Sequence, residues 1–130
     1  MHVEDVMHKV ETIDENADVK AAADLMAKKQ IGSLVVLKKG KVVGIITERD
    51  FLERVVRSGK ARKKKLKVKD IMSKNIVSIT PEALLEDAAA LMTRHKIKRL
   101  PVVKNGRLVG IITASDIIAN AESIGELSLF

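Results

Sequence analysis

A threonine and an aspartate stand three residues apart at two places, Thr47 with Asp50 and Thr113 with Asp116. Each pair follows the same apolar run, Gly44-Ile45-Ile46 and Gly110-Ile111-Ile112, so each falls where a strand should hand over to a helix. Two kinds of chemistry are open at such a junction. One is internal: Thr at the N-cap with Asp three residues on is a capping-box pattern, worth about 1 kcal/mol without any ligand. The other faces outward. A helix N-terminus offers unpaired N–H groups and a positive dipole end to an anion, and a carboxylate in the first turn can accept from two neighbouring hydroxyls. The two roles are compatible. Catalysis finds little material: His2, His8 and His95 are scattered without metal-ligand spacing, cysteine is absent, and no P-loop occurs. His2 and His8 read as part of a mobile start, and His95 as a cation suited to a helix C-terminus. No enzyme and no metal site are expected.

The elements that must position these pairs are themselves duplicated. Asp5-Val6-Met7 returns as Asp70-Ile71-Met72 at a spacing of 65, while Leu25-Met26 returns as Leu91-Met92 and Leu34-Val35-Val36 as Leu100-Pro101-Val102 at 66. One inserted residue between Met72 and Ile79 reconciles the offsets. The first copy reads as a helical turn over 3–7, an extended piece over 10–13, and a helix over 17–29 capped by Asp14. Val19, Ala22, Ala23 and Met26 give that helix one buried stripe. Strands over 33–37 and 42–46 follow, joined at Gly40, and then a helix from Thr47 to near Ser58-Gly59. The second copy repeats this with Thr80 as N-cap, Pro81 at the first helical position, a stripe of Leu85, Ala88, Ala89 and Met92, and a turn at Asn105-Gly106 between strands over 100–103 and 108–112. Its closing helix runs from Thr113 to about Ala121. The fold class is α/β or α+β, two βαββα repeats, divided as 1–59, a basic linker 60–67, a second repeat 68–122 and a tail 123–130.

At 130 residues, 46% hydrophobic and 32% charged, the chain reads as globular, and each half alone would have a marginal core. Neither end reads as a secretory signal, and no apolar run approaches the roughly 18 residues of a membrane span, so a cytoplasmic protein without membrane contact is expected. The net charge of +7 concentrates between Arg57 and Lys69, where eight basic residues meet no acidic one. That stretch could neutralise nucleic-acid phosphates through Arg62, Lys63, Lys64 and Lys65. No aromatic side chain interleaves for base stacking, however, and a solvated loop explains the run equally.

Taken together, the doubled Asp-Val/Ile-Met, the doubled Gly-Ile-Ile-Thr-x-x-Asp and the run Arg99-Leu100-Pro101-Val102-Val103 resemble the cystathionine-β-synthase (CBS) domain, and residues 1–122 resemble a tandem CBS pair, or Bateman module. The resemblance implies repeats packed through their sheets with pseudo-twofold symmetry, leaving two clefts for adenosine-containing ligands such as AMP, ADP, ATP, S-adenosylmethionine or NAD. It gives the aspartates a ribose role and places Thr47, Arg49, Thr113 and Ser115 on the phosphate side. By family geometry one cleft joins Thr113, Ser115 and Asp116 to Lys9, Val10, Ile31, Gly32, Ser33 and Leu34. The other joins Thr47, Arg49 and Asp50 to Asn75, Ile76, Ile97, Lys98 and Arg99. The second is richer in cations and suits a di- or triphosphate; the first suits a monophosphate or an uncharged tail. With no Trp or Tyr, an adenine ring would lie between aliphatic side chains such as Val10, Ile31 and Ile112. The implied function is a regulatory, energy-sensing nucleotide-binding module. It would be a homodimer with an unidentified protein target and no catalytic cofactor, the adenosine nucleotide being a regulatory ligand. A nucleic-acid-binding protein and a ligand-free dimerisation scaffold built on the apolar segment 117–130 are the alternatives.

Overall fold

In the computed structural model, residues 1–57 and 65–123 are described. They form two units that do not follow the repeat boundaries: one is drawn from Val10–Ile76, the other from Met1–Lys9 together with Val77–Phe130. The lead segment of each repeat therefore belongs, in space, with the body of the other.

In the first unit a short strand β1 (Thr12–Asp14) precedes helix α1 (Val19–Lys29), strands β2 (Ser33–Lys38) and β3 (Lys41–Thr47), and a single-turn helix α2 (Glu48–Phe51). Helix α2 widens into a π-helical turn, Leu52–Val56, in which the Arg57 N–H donates to the Leu52 carbonyl at 2.9 Å. A second short helix, α3 (Val68–Ile71), completes the unit. β2 is the central strand, parallel to β1 and antiparallel to β3. Its residues Leu34, Val35 and Val36 are fully buried, as expected of a strand covered on both faces. The second unit repeats the plan with α4 (Leu85–His95), β4 (Arg99–Lys104), β5 (Arg107–Thr113) and α5 (Ala114–Ala119). The counterpart of β1 shrinks there to one parallel bridge, Ile79 to Val102, leaving a two-stranded sheet.

Both hairpins turn on two residues with positive φ, Lys39-Gly40 (49° and 80°) and Asn105-Gly106 (52° and 78°), which matches the right-handed twist of the flanking strands. Both carry a register shift at the same place, between Val36 and Leu37 and between Val102 and Val103. The α1 core is built from Val19, Ala22 and Met26 against Leu34, Val36, Ile46, Leu66, Val68, Ile71 and Met72. The α4 core sets Leu85, Ala88 and Met92 against Leu100, Val102, Ile112, Ile79 and Val3. The duplicated stripes are thus the buried faces, with Ala23 and Ala89 only half-buried at their margins.

Two expected helix starts are displaced. Asp14 does not cap α1; its carboxylate accepts from the Asn16 N–H at 2.8 Å, an Asx turn, and the helix begins after Asp18. Thr80 and Pro81 open a turn closed by the Ala83 N–H on the Thr80 carbonyl at 3.2 Å, so α4 starts four residues beyond Pro81, after Leu84. The expected end of the helix at Ser58-Gly59, the basic residues Lys60 and Arg62 to Lys64, and the tail from Ile124 lie outside the described residues.

Candidate functional site

Both Thr-x-x-Asp pairs form the capping box that their spacing dictates. At the start of α2, Asp50 Oδ2 accepts from the Thr47 N–H at 2.8 Å and from Thr47 Oγ1 at 3.2 Å, while Thr47 Oγ1 faces the Asp50 N–H at 3.4 Å. The other carboxylate oxygen is also engaged. Ser73 Oγ donates to Oδ1 at 3.4 Å, and Arg54 Nε stands 3.8 Å from it. Arg54 in turn donates through Nη1 to the carbonyls of Ile71 and Met72, at 3.0 and 3.1 Å, where a cation meets the negative end of α3. The Asp50 side chain is 8% exposed: a buried carboxylate with partners on both oxygens.

The second pair begins the same way and ends differently. Asp116 Oδ2 accepts from the Thr113 N–H at 2.8 Å and from Thr113 Oγ1 at 2.9 Å, and Thr113 Oγ1 accepts from the Asp116 N–H at 3.2 Å. A third partner of the same oxygen is His8, whose Nε2 lies 3.0 Å away. No partner of Asp116 Oδ1 occurs among the described residues, and the side chain is 22% exposed. Sequence reasoning placed His8 in a mobile start. It is instead tied to β5 by paired backbone hydrogen bonds with Ile111, each 3.0 Å, and the nearby Val3 is fully buried. Ser73 makes the same backbone pair with Ile45, at 2.9 and 3.1 Å.

His8 and Ser73 are therefore the same position in the two copies, the residue after Asp-Val/Ile-Met, and both reach the motif aspartate. The offset of 65 already aligned them; the lead segment's place in the fold was the missing piece. Close approach is allowed by Gly44 and Gly110, where a Cβ would lie 3.0 Å from the backbone oxygen of Ser73 and of His8 respectively.

The remaining expected residues distribute as follows. Ser33 pairs across the ladder with Thr47, and Arg99 with Thr113. The Gly32 carbonyl accepts from the Glu48 N–H at 3.2 Å, and the Lys98 carbonyl from the Ala114 N–H at 2.8 Å. Each motif thus sits beside the β-entry loop of its own repeat, which sets Lys98 and Arg99 next to Thr113. Leu34 and Ile112 are fully buried in the two cores, against which Ile31 and Ile97 pack. Val10 and Ile76 are half-buried, whereas Lys9, Asn75 and Ser115 are exposed. Arg49 is exposed and paired with Glu53 at 3.0 Å on its own helical turn. An open cleft of about 430 Å³ is lined by Arg54, Lys69, Asp70, Met72, Lys74 and Asn75, so the positive charge of that region comes mainly from cations the spacing did not single out. Lys65, part of the basic run, pairs with Asp18 at 3.2 Å. Among the described residues no cluster of His, Asp or Glu could hold a metal ion, and no helix is long and apolar enough to cross a membrane.

A doubled βαββα unit with a strand-to-helix Thr-x-x-Asp in each copy defines a tandem-repeat α/β module. The CBS domain model matches residues 3–57 and again 68–123, and the chain belongs to the CBS domain family. It is 37% identical over 115 residues to the CBS domain-containing protein YhcV of Bacillus subtilis, covering 88% of this chain and 81% of that protein. It is 35% identical over 102 residues to the mitochondrial CBSX3 of Arabidopsis thaliana, spanning 75% of this chain and only 49% of that one. An inosine-5′-monophosphate dehydrogenase of Korarchaeum cryptofilum matches at 36% over 113 residues, 86% of this chain but 22% of that enzyme. Among solved structures, the CBS pair of MJ0100 in complex with 5′-methylthioadenosine and S-adenosylmethionine has a TM-score of 0.78 at 28% identity, covering 95% of this chain and 97% of that one. CBSX2 in complex with AMP has a TM-score of 0.79 at 27% identity with the same coverage, 95% and 97%. A hexameric CBS-CP12 protein from bloom-forming cyanobacteria has a TM-score of 0.84 at 32% identity, covering all of this chain and 78% of that one.

Proposed function

We propose that this chain is a regulatory module that binds an adenosine-containing nucleotide, AMP, ADP or ATP before S-adenosylmethionine or NAD, and passes the occupancy to a protein target. The observation that carries the reading is the state of Asp116. One carboxylate oxygen is fixed by three partners, and the other is left as an acceptor. A held carboxylate with an open oxygen suits a sugar hydroxyl, because its orientation need not be bought from the ligand's binding energy. Arg99 beside Thr113, with exposed Lys98 and Lys9, supplies cations for phosphate. The adenosine ligands of the MJ0100 and CBSX2 complexes support the same class of ligand.

Signalling then follows from differential affinity: the ligand binds one arrangement of the module more tightly and raises its population. Exposed Leu52, Val56 and Ile118 support a homodimer as the working assembly, in the cytoplasm. The test is a thermal-shift series with AMP, ADP, ATP, S-adenosylmethionine and NAD on the wild-type chain and on Asp116→Asn. A ligand at 100 times its dissociation constant stabilises by about 2.7 kcal/mol. A rise in Tm that Asp116→Asn diminishes supports the reading; no rise with any of the five ends it.

A further inference from the structure

The ring of His8 stands between two oxygens that can only accept. Nε2 lies 3.0 Å from Asp116 Oδ2, and Nδ1 lies 3.2 Å from the Lys9 carbonyl. A neutral imidazole carries one N–H and can serve one of these oxygens; the imidazolium carries two and serves both. In the other copy the equivalent residue is Ser73, whose hydroxyl reaches Asp50 and carries no charge over the physiological range. Chemically, then, the duplicated position holds an ionisable donor at one motif and a hydroxyl at the other.

We propose that His8 in its charged form is the positioning residue of the Asp116 carboxylate, making ligand binding at the second motif pH-dependent and leaving the first motif indifferent. The proposal rests on the reading of Asp116 as a ribose-binding group. Among the described residues, the ring's polar partners are the Asp116 carboxylate and the Lys9 carbonyl. Asp116 comes from α5, and β5 contributes the backbone of Ile111. On the lead segment Lys9 is adjacent in the chain, while Asp5 is occupied in accepting from the His2 N–H at 2.8 Å. Two effects share a sign as the proton leaves. A hydrogen bond from a neutral donor to a carboxylate is weaker than one from a charged donor, so Oδ2 is held less firmly. A positive charge beside an anionic ligand also disappears, and half-exposure of His8, at 51%, moderates that effect without cancelling it. Affinity for a nucleotide is therefore lower with the neutral ring than with the imidazolium.

The test measures AMP affinity by calorimetry at pH 6 and pH 8 for the wild-type chain, His8→Ser, His8→Ala and Ser73→His. AMP itself gains charge across this interval, since its phosphate titrates near pH 6. The quantity of interest is therefore the wild-type change with pH minus that of His8→Ser. The expected wild-type loss exceeds the His8→Ser loss by about fivefold, the low end of ordinary site coupling. His8→Ala should bind AMP more weakly at both pH values. His8→Ser, which copies the other motif, should recover the affinity without the pH response, and Ser73→His should leave the Asp116 response unchanged. Identical pH responses in wild type and His8→Ser overturn the proposal. A second measurement separates its failure from that of the functional reading: ring ¹⁵N signals of the ligand-free chain, followed between pH 5 and 9. The His8 Nε2 signal should move on Asp116→Asn while that of His95 does not, and an unmoved His8 signal overturns the proposal whether or not AMP binds. If His8 responds but AMP never binds, the pairing stands, and the functional reading fails together with His8's role in it.

Discussion

Asp50 and Asp116 occupy the same place in two copies of one motif, each closing an N-terminal box with a threonine, yet they are different groups. Asp50 is buried, with Thr47 on one oxygen and Ser73 and Arg54 on the other. Asp116 gathers Thr113 and His8 on a single oxygen and leaves the second open. An identical motif therefore sets the local fold, while residues arriving from the lead segment decide which carboxylate oxygens are engaged. In the first copy both oxygens have protein partners; in the second, one oxygen has none among the described residues.

The largest effects should come from closing the space through which the lead segments approach. A Cβ at Gly44 would meet Met72 Sδ at 2.5 Å and the Ser73 oxygen at 3.0 Å, and at Gly110 it would meet the His8 oxygen at 3.0 Å and Met7 Sδ at 3.1 Å. The sulfurs can swing aside, but the backbone oxygens are held by the paired hydrogen bonds of Ser73 to Ile45 and of His8 to Ile111. Gly44→Val and Gly110→Val should each destabilise by about 2–3 kcal/mol, the upper part of the usual range for overpacking, read as a lower urea midpoint. Only Gly110→Val should also weaken AMP binding at Asp116. Equal effects of the two on AMP would erase the contrast between the motifs.

Next in size is the pair Asp50→Asn and Asp116→Asn, in which the two orders should oppose each other. Asp50→Asn removes a buried charge from beside Arg54 and should lower stability by about 2 kcal/mol, against about 1 kcal/mol for Asp116→Asn. For AMP the ranking reverses: Asp116→Asn should weaken binding about tenfold, the loss of roughly one charge-assisted hydrogen bond, and Asp50→Asn much less. Chemical denaturation and calorimetry on the same two variants decide it. Parallel rankings in both assays would mean that the two carboxylates do one job.

How much of this was legible in the residues follows from what kind of physics each feature uses. Asn105-Gly106 announces a two-residue hairpin because both positions need positive φ, and Gly40 marked the first copy's turn without showing that Lys39 shares the left-handed region. The Thr-x-x-Asp boxes were readable because capping is local. Asp14 and Thr80 misled because the same side chains serve turns equally well, and here turns of two to four residues intervene before each helix. His8 and Ser73 were invisible as partners because their contacts to Asp116 and Asp50 span 108 and 23 residues. Nothing in the spacing says that a lead segment folds with the other repeat's body.

Where the two copies agree in structure, matched substitutions should agree in effect. Helices α1 and α4 both end on a non-glycine residue in the left-handed region, Gln30 at φ 53° and Lys96 at φ 54°. That conformation costs an L-residue about 1 kcal/mol relative to glycine. Gln30→Gly and Lys96→Gly should each raise stability by up to about 1 kcal/mol and leave AMP affinity untouched. A gain in one helix alone would show that the copies differ at their helix ends as well as at their aspartates.

The smallest expected effect concerns equivalent lysines that pair with carboxylates at different positions in the two copies. Lys104 Nζ lies 2.6 Å from Glu82 Oε1, while its counterpart Lys38 faces Glu15, one position earlier than the residue equivalent to Glu82, at 3.7 Å, beyond hydrogen-bond distance. The Lys104 hydrogen bond holds the Glu82 carboxyl below its ordinary range and, reciprocally, raises the Lys104 ammonium. A lowered carboxylate contributes stability above its unfolded value and loses it as pH falls through the folded one; a raised ammonium contributes below its unfolded value and loses it as pH climbs through the folded one. The pair is therefore at full strength between the carboxylate and lysine ranges. Both side chains are solvent-exposed, so screening leaves little of this at physiological salt. Glu82→Gln should lower the urea midpoint slightly at pH 7 and low ionic strength, with the difference closing in acid and in high salt. A difference that persists in acid would have to come from packing of the Glu82 stem instead of its charge, and a larger effect from Glu15→Gln would place the stronger cross-link in the other copy.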